Sequence, residues 1–151
     1  MKKTISSIMI LFAALMFHFG ALGQTTRVND ILGTWLNEDQ DAHIEIYEQG
    51  GKYFGKIIWL KFPLDDVTGQ PKLDTKNASE ILRSRPVLGM LILKDFVYDD
   101  DGEWEDGEIY DPKNGKTYDC YMAFEDKNIL KIRGYIGISL LGRTTYWTRV
   151  K

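Results

Sequence analysis

Cysteine is nearly absent. Cys120 is the only one in 151 residues, so no disulfide can form within the chain. Histidine is almost as scarce, with His18 and His43 alone, which removes the usual His/Cys zinc sites from consideration. No apolar run approaches the roughly 20 residues that a membrane-spanning helix needs; the longest, Ile8 to Phe17, has ten. Excess positive charge is missing too. Nineteen basic against 22 acidic residues give a net charge of −3, which argues against nucleic acid or an anionic membrane as the main partner. The four prolines (Pro63, Pro71, Pro86 and Pro112) all fall between strand-like runs, where strands tolerate them.

The first 23 residues read as a signal peptide, expected to be helical. Met1-Lys2-Lys3 is basic, the ten-residue apolar run follows, and Ala21-Leu22-Gly23 offers small residues for cleavage before Gln24. No cysteine stands at that site to carry a lipid. The predicted mature chain, 24–151, is one domain of 128 residues with a net charge of −5 once Lys2 and Lys3 are removed. A length of that order buries roughly two-thirds of its unfolded surface without a disulfide. Export to the periplasm or beyond is the expected localisation.

Short runs rich in β-branched and aromatic residues fill most of the mature chain. Ala42 to Glu48 alternates, with Ala42, Ile44 and Ile46 on one face and His43, Glu45 and Tyr47 on the other. Gln49-Gly50-Gly51-Lys52 turns into Tyr53 to Leu60. Leu88 to Tyr98, Glu103 to Tyr110, Thr117 to Phe124, Ile129 to Ile136 and Thr144 to Val150 follow, and Ile31 to Leu36 comes first. Asp99-Asp100-Asp101-Gly102 and Asp111-Pro112-Lys113-Asn114-Gly115 supply the residues that tight turns demand. The pattern predicts an all-β antiparallel barrel or sandwich of about eight strands.

Residues 61–86 interrupt this rhythm. Within them Asn77 to Ser84 reads as a short helix, with Asn77 as its cap, Glu80 at the capping-box spacing and Arg85-Pro86 as the stop. A connection of this length is commonly functional, so a flap over one barrel end and a plain surface excursion both stand.

Gly33-Thr34-Trp35 in the first strand and Arg149 in the last resemble the lipocalin and fatty-acid-binding superfamily. That likeness implies a barrel floor in which the arginine packs across the tryptophan. The ordered segments Arg85-Pro86-Val87-Leu88-Gly89, Gly107-Glu108-Ile109-Tyr110-Asp111-Pro112, Asn114-Gly115-Lys116-Thr117-Tyr118, Arg133-Gly134-Tyr135-Ile136-Gly137, Gly142-Arg143-Thr144 and Trp147-Thr148-Arg149-Val150 look like the bacterial exported family of the domain of unknown function 2147. The resemblance spans Ile31 to Val150 and implies a lipocalin-like barrel in the Gram-negative envelope. It implies no reaction and no ligand.

Arg133 and Tyr135 stand two apart on a strand and share a face with Lys131. Fatty-acid-binding barrels similarly hold a carboxylate with an Arg-x-Tyr pair, the arginine as a charged fork and the phenol as a second donor. If that face lines the barrel, it selects a small anionic amphiphile. The alternative has it facing outward, because Leu130, Ile132 and Ile136 make the more apolar side. Arg85, Arg143 and Trp59 are further candidate contacts, and Trp104 also sits near a possible rim.

No cofactor or metal is expected. Asp99, Asp101 and Glu103 alternate as calcium ligands do, but Trp104 replaces the required glycine and Tyr110 the closing glutamate. Asp111, Asn114 and Lys116 are already explained by their turn. Cys120 has no basic neighbour in sequence and reads as a buried small hydrophobe. The preferred function is therefore binding or carriage of a small apolar or amphiphilic anionic molecule by a monomeric, non-enzymatic barrel. A solid barrel serving as a periplasmic protein–protein interaction module is the first rival. A hydrolase or isomerase at the barrel mouth is the second.

Overall fold

Alternating inward and outward side chains close the sheet on itself. The computed structural model describes residues 28–151. The segment 1–23, expected to be a signal-peptide helix, lies outside the described residues. Eight antiparallel strands follow in order: β1 (Gly33–Leu36), β2 (Ala42–Gln49), β3 (Lys52–Leu60), β4 (Leu91–Tyr98), β5 (Glu103–Asp111), β6 (Lys116–Asp126), β7 (Ile129–Tyr135) and β8 (Arg143–Arg149). Each pairs with its neighbour, and β8 returns to β1 through Trp35↔Arg149 and Leu36↔Thr148, so no sheet edge is left open.

Small barrels bend sharply, and here bulges supply the bend. The register slips between β3 and β4 near Asp95, and between β5 and β6 at Glu105-Asp106. Asp95 (φ 62°) and Asp106 (φ 56°) adopt the left-handed conformation that a short polar side chain tolerates. Gly107 beside that second bulge has no room for a side chain, because a Cβ there would stand 2.3 Å from the Phe96 ring.

One end of the barrel is packed solid. Trp104 meets Phe124 edge-on at 5.6 Å, Trp35 lies 6.0 Å from Phe124, and Tyr53 and Tyr98 flank Trp104 at 6.1 and 4.9 Å. The chain before β1 plugs this end. Ile31 is fully buried, and the Trp35 indole donates to its carbonyl at 2.9 Å. The Arg149 guanidinium lies 4.2 Å above the Trp35 ring and donates to the carbonyls of Leu32 and Asp30. A residue placed at Gly33 would bring its Cβ to 3.5 Å from that guanidinium.

The helix expected over 77–84 is replaced by a single 3-10 turn, Glu80–Ser84, with Ser79 at its N-cap position. Asn77 does not cap it through a capping box. Its amide is drawn instead into a buried network with Asp74 and Tyr110. A second short 3-10 turn, Ser139–Leu141, lies in the connection before β8. The apolar run from Leu88 joins β4 only at Leu91, because Gly89 (φ 85°) still belongs to the preceding loop.

Candidate functional site

The barrel half opposite the aromatic plug opens to solvent. A cavity of about 1050 Å³ opens there, bordered by the β1–β2, β3–β4, β5–β6 and β7–β8 connections. Its wall follows from the strand alternation: Ile44 of β2, Ile57 of β3, Ile92 of β4, Ile109 of β5, Ile132 of β7 and Trp147 of β8 all face it. Five isoleucines make this part of the lining apolar. Tyr110, Tyr118 and Thr145 also line the cavity, and charged residues of the connections stand at its mouth. An apolar space with a few polar groups is the usual composition of a small-molecule site.

The long β3–β4 connection forms a strap beside the mouth. Two isolated antiparallel bridges, Leu64↔Pro71 and Leu73↔Pro86, stiffen it. Asp74 is its fully buried anchor. The Arg85 guanidinium donates to Asp74 Oδ2 at 2.8 and 2.9 Å, Asn77 Nδ2 donates to the same oxygen at 2.8 Å, and the Tyr110 hydroxyl donates to Oδ1 at 2.6 Å. Arg85 also stacks over the Tyr110 ring at 5.3 Å. A buried carboxylate costs several kcal/mol unless paired and hydrogen-bonded, and this one has both kinds of partner. The strap also meets the β5–β6 turn, where a Cβ at Gly115 would fall 1.9 Å from the Lys76 carbonyl oxygen.

Charges ring the mouth. Lys113 bridges Asp39 and Asp41 at 2.7 and 2.8 Å, and Arg143 pairs with Glu38 at 3.5 Å. Partial burial works to raise the Asp41 pKa, but the bonds from Lys113 and Asn37 outweigh it and leave the carboxyl below its ordinary value. Lys72 and Lys76 border the cavity without an ion pair among the described residues.

The residues singled out from sequence separate into two groups. Tyr135 and Arg143 border the cavity. Arg133, Arg85 and Trp59 do not. On β7 it is Leu130 and Ile132 that are buried, so Lys131 and Arg133 point outward, and the expected Arg133–Tyr135 anchor inside the barrel is not formed. Arg133 instead donates to the carbonyl of Ser139 at 2.9 and 2.5 Å, to that of Leu140 at 3.3 Å and to the Thr144 hydroxyl at 2.9 Å. Arg85 is spent on Asp74. Trp59 lies on the outer face, its ring tilted against that of His43 with centroids 4.4 Å apart. Trp104, expected near a rim, is fully buried in the plug.

Cys120 faces the core, where burial pushes its thiol far above the ordinary range and keeps it protonated. Burial likewise raises the phenols of Tyr53, Tyr110 and Tyr135, and the bond to Asp74 adds to the shift at Tyr110. No group of three His, Cys, Asp or Glu side chains among the described residues is arranged to hold a metal.

Asp74 and Tyr110 escaped the sequence reading. Asp74 sits in a polar stretch, and a carboxylate there looks solvated. The only hint was its neighbourhood: Arg85-Pro86 and Tyr110-Asp111-Pro112 both lie in the segments that carry the family resemblance.

Comparison with known proteins agrees with this architecture. A family model described as "Uncharacterized protein conserved in bacteria (DUF2147)" matches residues 33–149. Among solved structures, protein HP1028 from the human pathogen Helicobacter pylori, described as belonging to the lipocalin family, aligns with a TM-score of 0.66. Its sequence identity is 24%, over 80% of this chain and 82% of its own. No curated protein matches the chain significantly.

Proposed function

The chain belongs to this uncharacterised bacterial family, and from that premise we propose that it binds one small apolar or amphiphilic molecule in the open half of its lipocalin-like barrel. The observation that carries the reading is the division of the barrel into an aromatic plug and an open-mouthed cavity of about 1050 Å³ with isoleucines in its lining. Evolving an unfilled interior costs packing energy. A cavity of that volume is large enough for a ligand of drug-like or fatty-acyl size.

The apolar part of the ligand lies against Ile44, Ile57, Ile92, Ile109 and Ile132. Its anionic end remains at the mouth near Lys72, Lys76 and Arg143, since no free cation lines the deep wall among the described residues. Two features favour binding over catalysis. The buried carboxylate Asp74 is already saturated with donors. The lone thiol is held protonated. The protein acts as a monomer in the periplasm or outside the cell, in keeping with its N-terminal sequence.

Titration with a fluorescent fatty-acid analogue tests this. Trp147 in the wall reports occupancy by energy transfer. Saturable one-to-one binding, abolished in Ile44→Trp/Ile132→Trp while the melting transition stays cooperative, is the expected result. Binding that survives in the filled barrel, or that never saturates, removes the cavity as the site.

A further inference from the structure

One phenol in the cavity lining stands apart from the rest. Inward positions on β6 run Tyr118, Cys120, Met122 and Phe124, from the mouth toward the plug. Tyr118 is at the mouth end of that row, level with Ile109, its partner on β5. The neighbouring strand offers no side chain to cover it. Gly134 of β7 borders the cavity, and a Cβ built there would come no closer than 3.4 Å to Ile109 and 3.6 Å to Tyr118. Those are ordinary contact distances, so crowding at the Cβ does not impose glycine. Its effect is to leave the wall beside Tyr118 bare.

Hydrogen bonds at the β5–β6 turn fix how the Tyr118 hydroxyl works. Asn114 Oδ1 accepts the Lys116 N–H at 2.9 Å, which settles the orientation of the Asn114 amide. Asn114 Nδ2 therefore donates, to Asp111 Oδ2 at 2.9 Å and to the Tyr118 oxygen at 3.0 Å. With that oxygen already accepting from Asn114, the phenol's own proton points elsewhere, and it meets no acceptor among the described residues. Thr145, the other hydroxyl on an inward strand position, has no partner among the described residues to set its direction. A ligand that covers the Tyr118 donor without offering an acceptor forfeits the bond that water would make.

We propose that Tyr118 is the specificity-determining donor of the cavity, and that it takes the carbonyl oxygen of an acyl amphiphile, one whose tail is joined to its head through an ester or an amide. This role rests on the ligand function proposed above and names the chemistry that the site selects. Position argues for a carbonyl. Ile132 and Trp147 line the cavity on the plug side of Tyr118 and accept an alkyl tail. Asp111 and Asn114 of the turn border it on the mouth side. The junction of an apolar tail and a polar head falls between them. Charge argues against a free carboxylate at that point. Asp111 and Tyr118 share one Asn114 amide, so the Asp111 carboxylate lies two hydrogen bonds from the phenol oxygen and repels a second anion. Any anionic group of the ligand lies farther out, and the uncharged carbonyl meets Tyr118.

Matched ligands isolate the carbonyl. Monodecanoylglycerol and the ether monodecylglycerol share tail and head and differ by the ester carbonyl alone. N-decanoylethanolamine supplies an amide carbonyl, and decanoic acid a carboxylate. Calorimetric titration of protein stripped of bound lipid, below the micelle-forming concentration of each ligand, reads the affinities. The wild type should hold the ester about fivefold more tightly than the ether, and Tyr118→Phe, which keeps the ring, should bind both at the level of the ether. Thr145→Val should keep the wild-type preference. A Tyr118-dependent preference for the amide supports the assignment equally, and the tighter of the two carbonyl ligands identifies the source. Equal affinity for ester and ether in the wild type overturns the proposal without need of a variant. A preference that survives in Tyr118→Phe overturns it too, as does a greater loss for decanoic acid than for the ester in that variant. Where ester and ether bind equally and both are lost from Ile44→Trp/Ile132→Trp, the cavity stands as the ligand site and the carbonyl role alone fails. No binding by any of these ligands overturns both.

Discussion

Tyr110 of β5 donates its hydroxyl to Oδ1 of Asp74 at 2.6 Å, joining the barrel wall to a strap residue 36 positions earlier in the chain. Arg85 and Asn77, which complete the carboxylate's partners, belong to the strap itself. Tyr110 is thus the barrel's own contribution to the anchor. Tyr110→Phe removes one donor and leaves a buried acceptor short of a partner, at a cost of about 1–3 kcal/mol. Urea unfolding measures the loss. Amide exchange should quicken through residues 72–87 more than in the plug.

High pH weakens the fold through its buried phenols and thiol. Tyr53, Tyr110 and Tyr135 hold their protons more tightly when folded than when unfolded, through burial first and, at Tyr110, through Asp74 next. Cys120 behaves alike. The unfolded chain therefore releases protons first as pH rises. Stability from these groups is complete below the ordinary thiol and phenol values of 9.0 and 10.0, and is lost progressively above them. Unfolding free energy followed from pH 8 upward should decline beyond that point, and Tyr110→Phe should decline less steeply.

Gly115 is fixed by two constraints. Its φ is +73°, and a Cβ would fall 1.9 Å from the Lys76 carbonyl oxygen. Gly115→Ala should destabilise by about 1–3 kcal/mol and displace the strap from the β5–β6 turn. The denaturation midpoint and the exchange rate of Lys76 and Asn77 amides report the two effects.

Arg133 organises the β7–β8 loop from outside the barrel. Arg133→Ala should leave cavity affinity for a fatty-acid analogue within about twofold, since the guanidinium does not reach the wall. Exchange of the 136–142 amides should accelerate strongly. A large loss of affinity with an unchanged loop would restore Arg133 to the ligand's anion site.

The barrel was legible in sequence because its signals are local. Alternation in Ala42–Glu48, the diglycine at Gly50-Gly51 and the Asp111–Gly115 turn each fix an element without reference to distant residues. Orientation was harder. Lys131, Arg133 and Tyr135 share one side of a strand by simple alternation, but whether that side faces inward depends on closure of the sheet and on the bulges near Asp95 and Glu105-Asp106. The Asn77 capping pattern misled for a related reason. A carboxylate, a phenol and a guanidinium from distant positions offered the Asn77 amide stronger partners than one turn of helix. Asp74 was invisible, since nothing local marks a loop carboxylate as buried. The cavity was equally hidden, because five isoleucines can fill a core or line a cavity, and only their spacing around a closed barrel decides.

The most direct test of the central claim is native mass spectrometry of the protein as isolated from its producing cell, alongside Ile44→Trp/Ile132→Trp. The account predicts one added apolar or amphiphilic mass per chain, recovered by extraction and lost from the filled variant. A bare chain mass that persists after incubation with lipid extract and fatty acids, or an adduct retained in full by the filled variant, contradicts it.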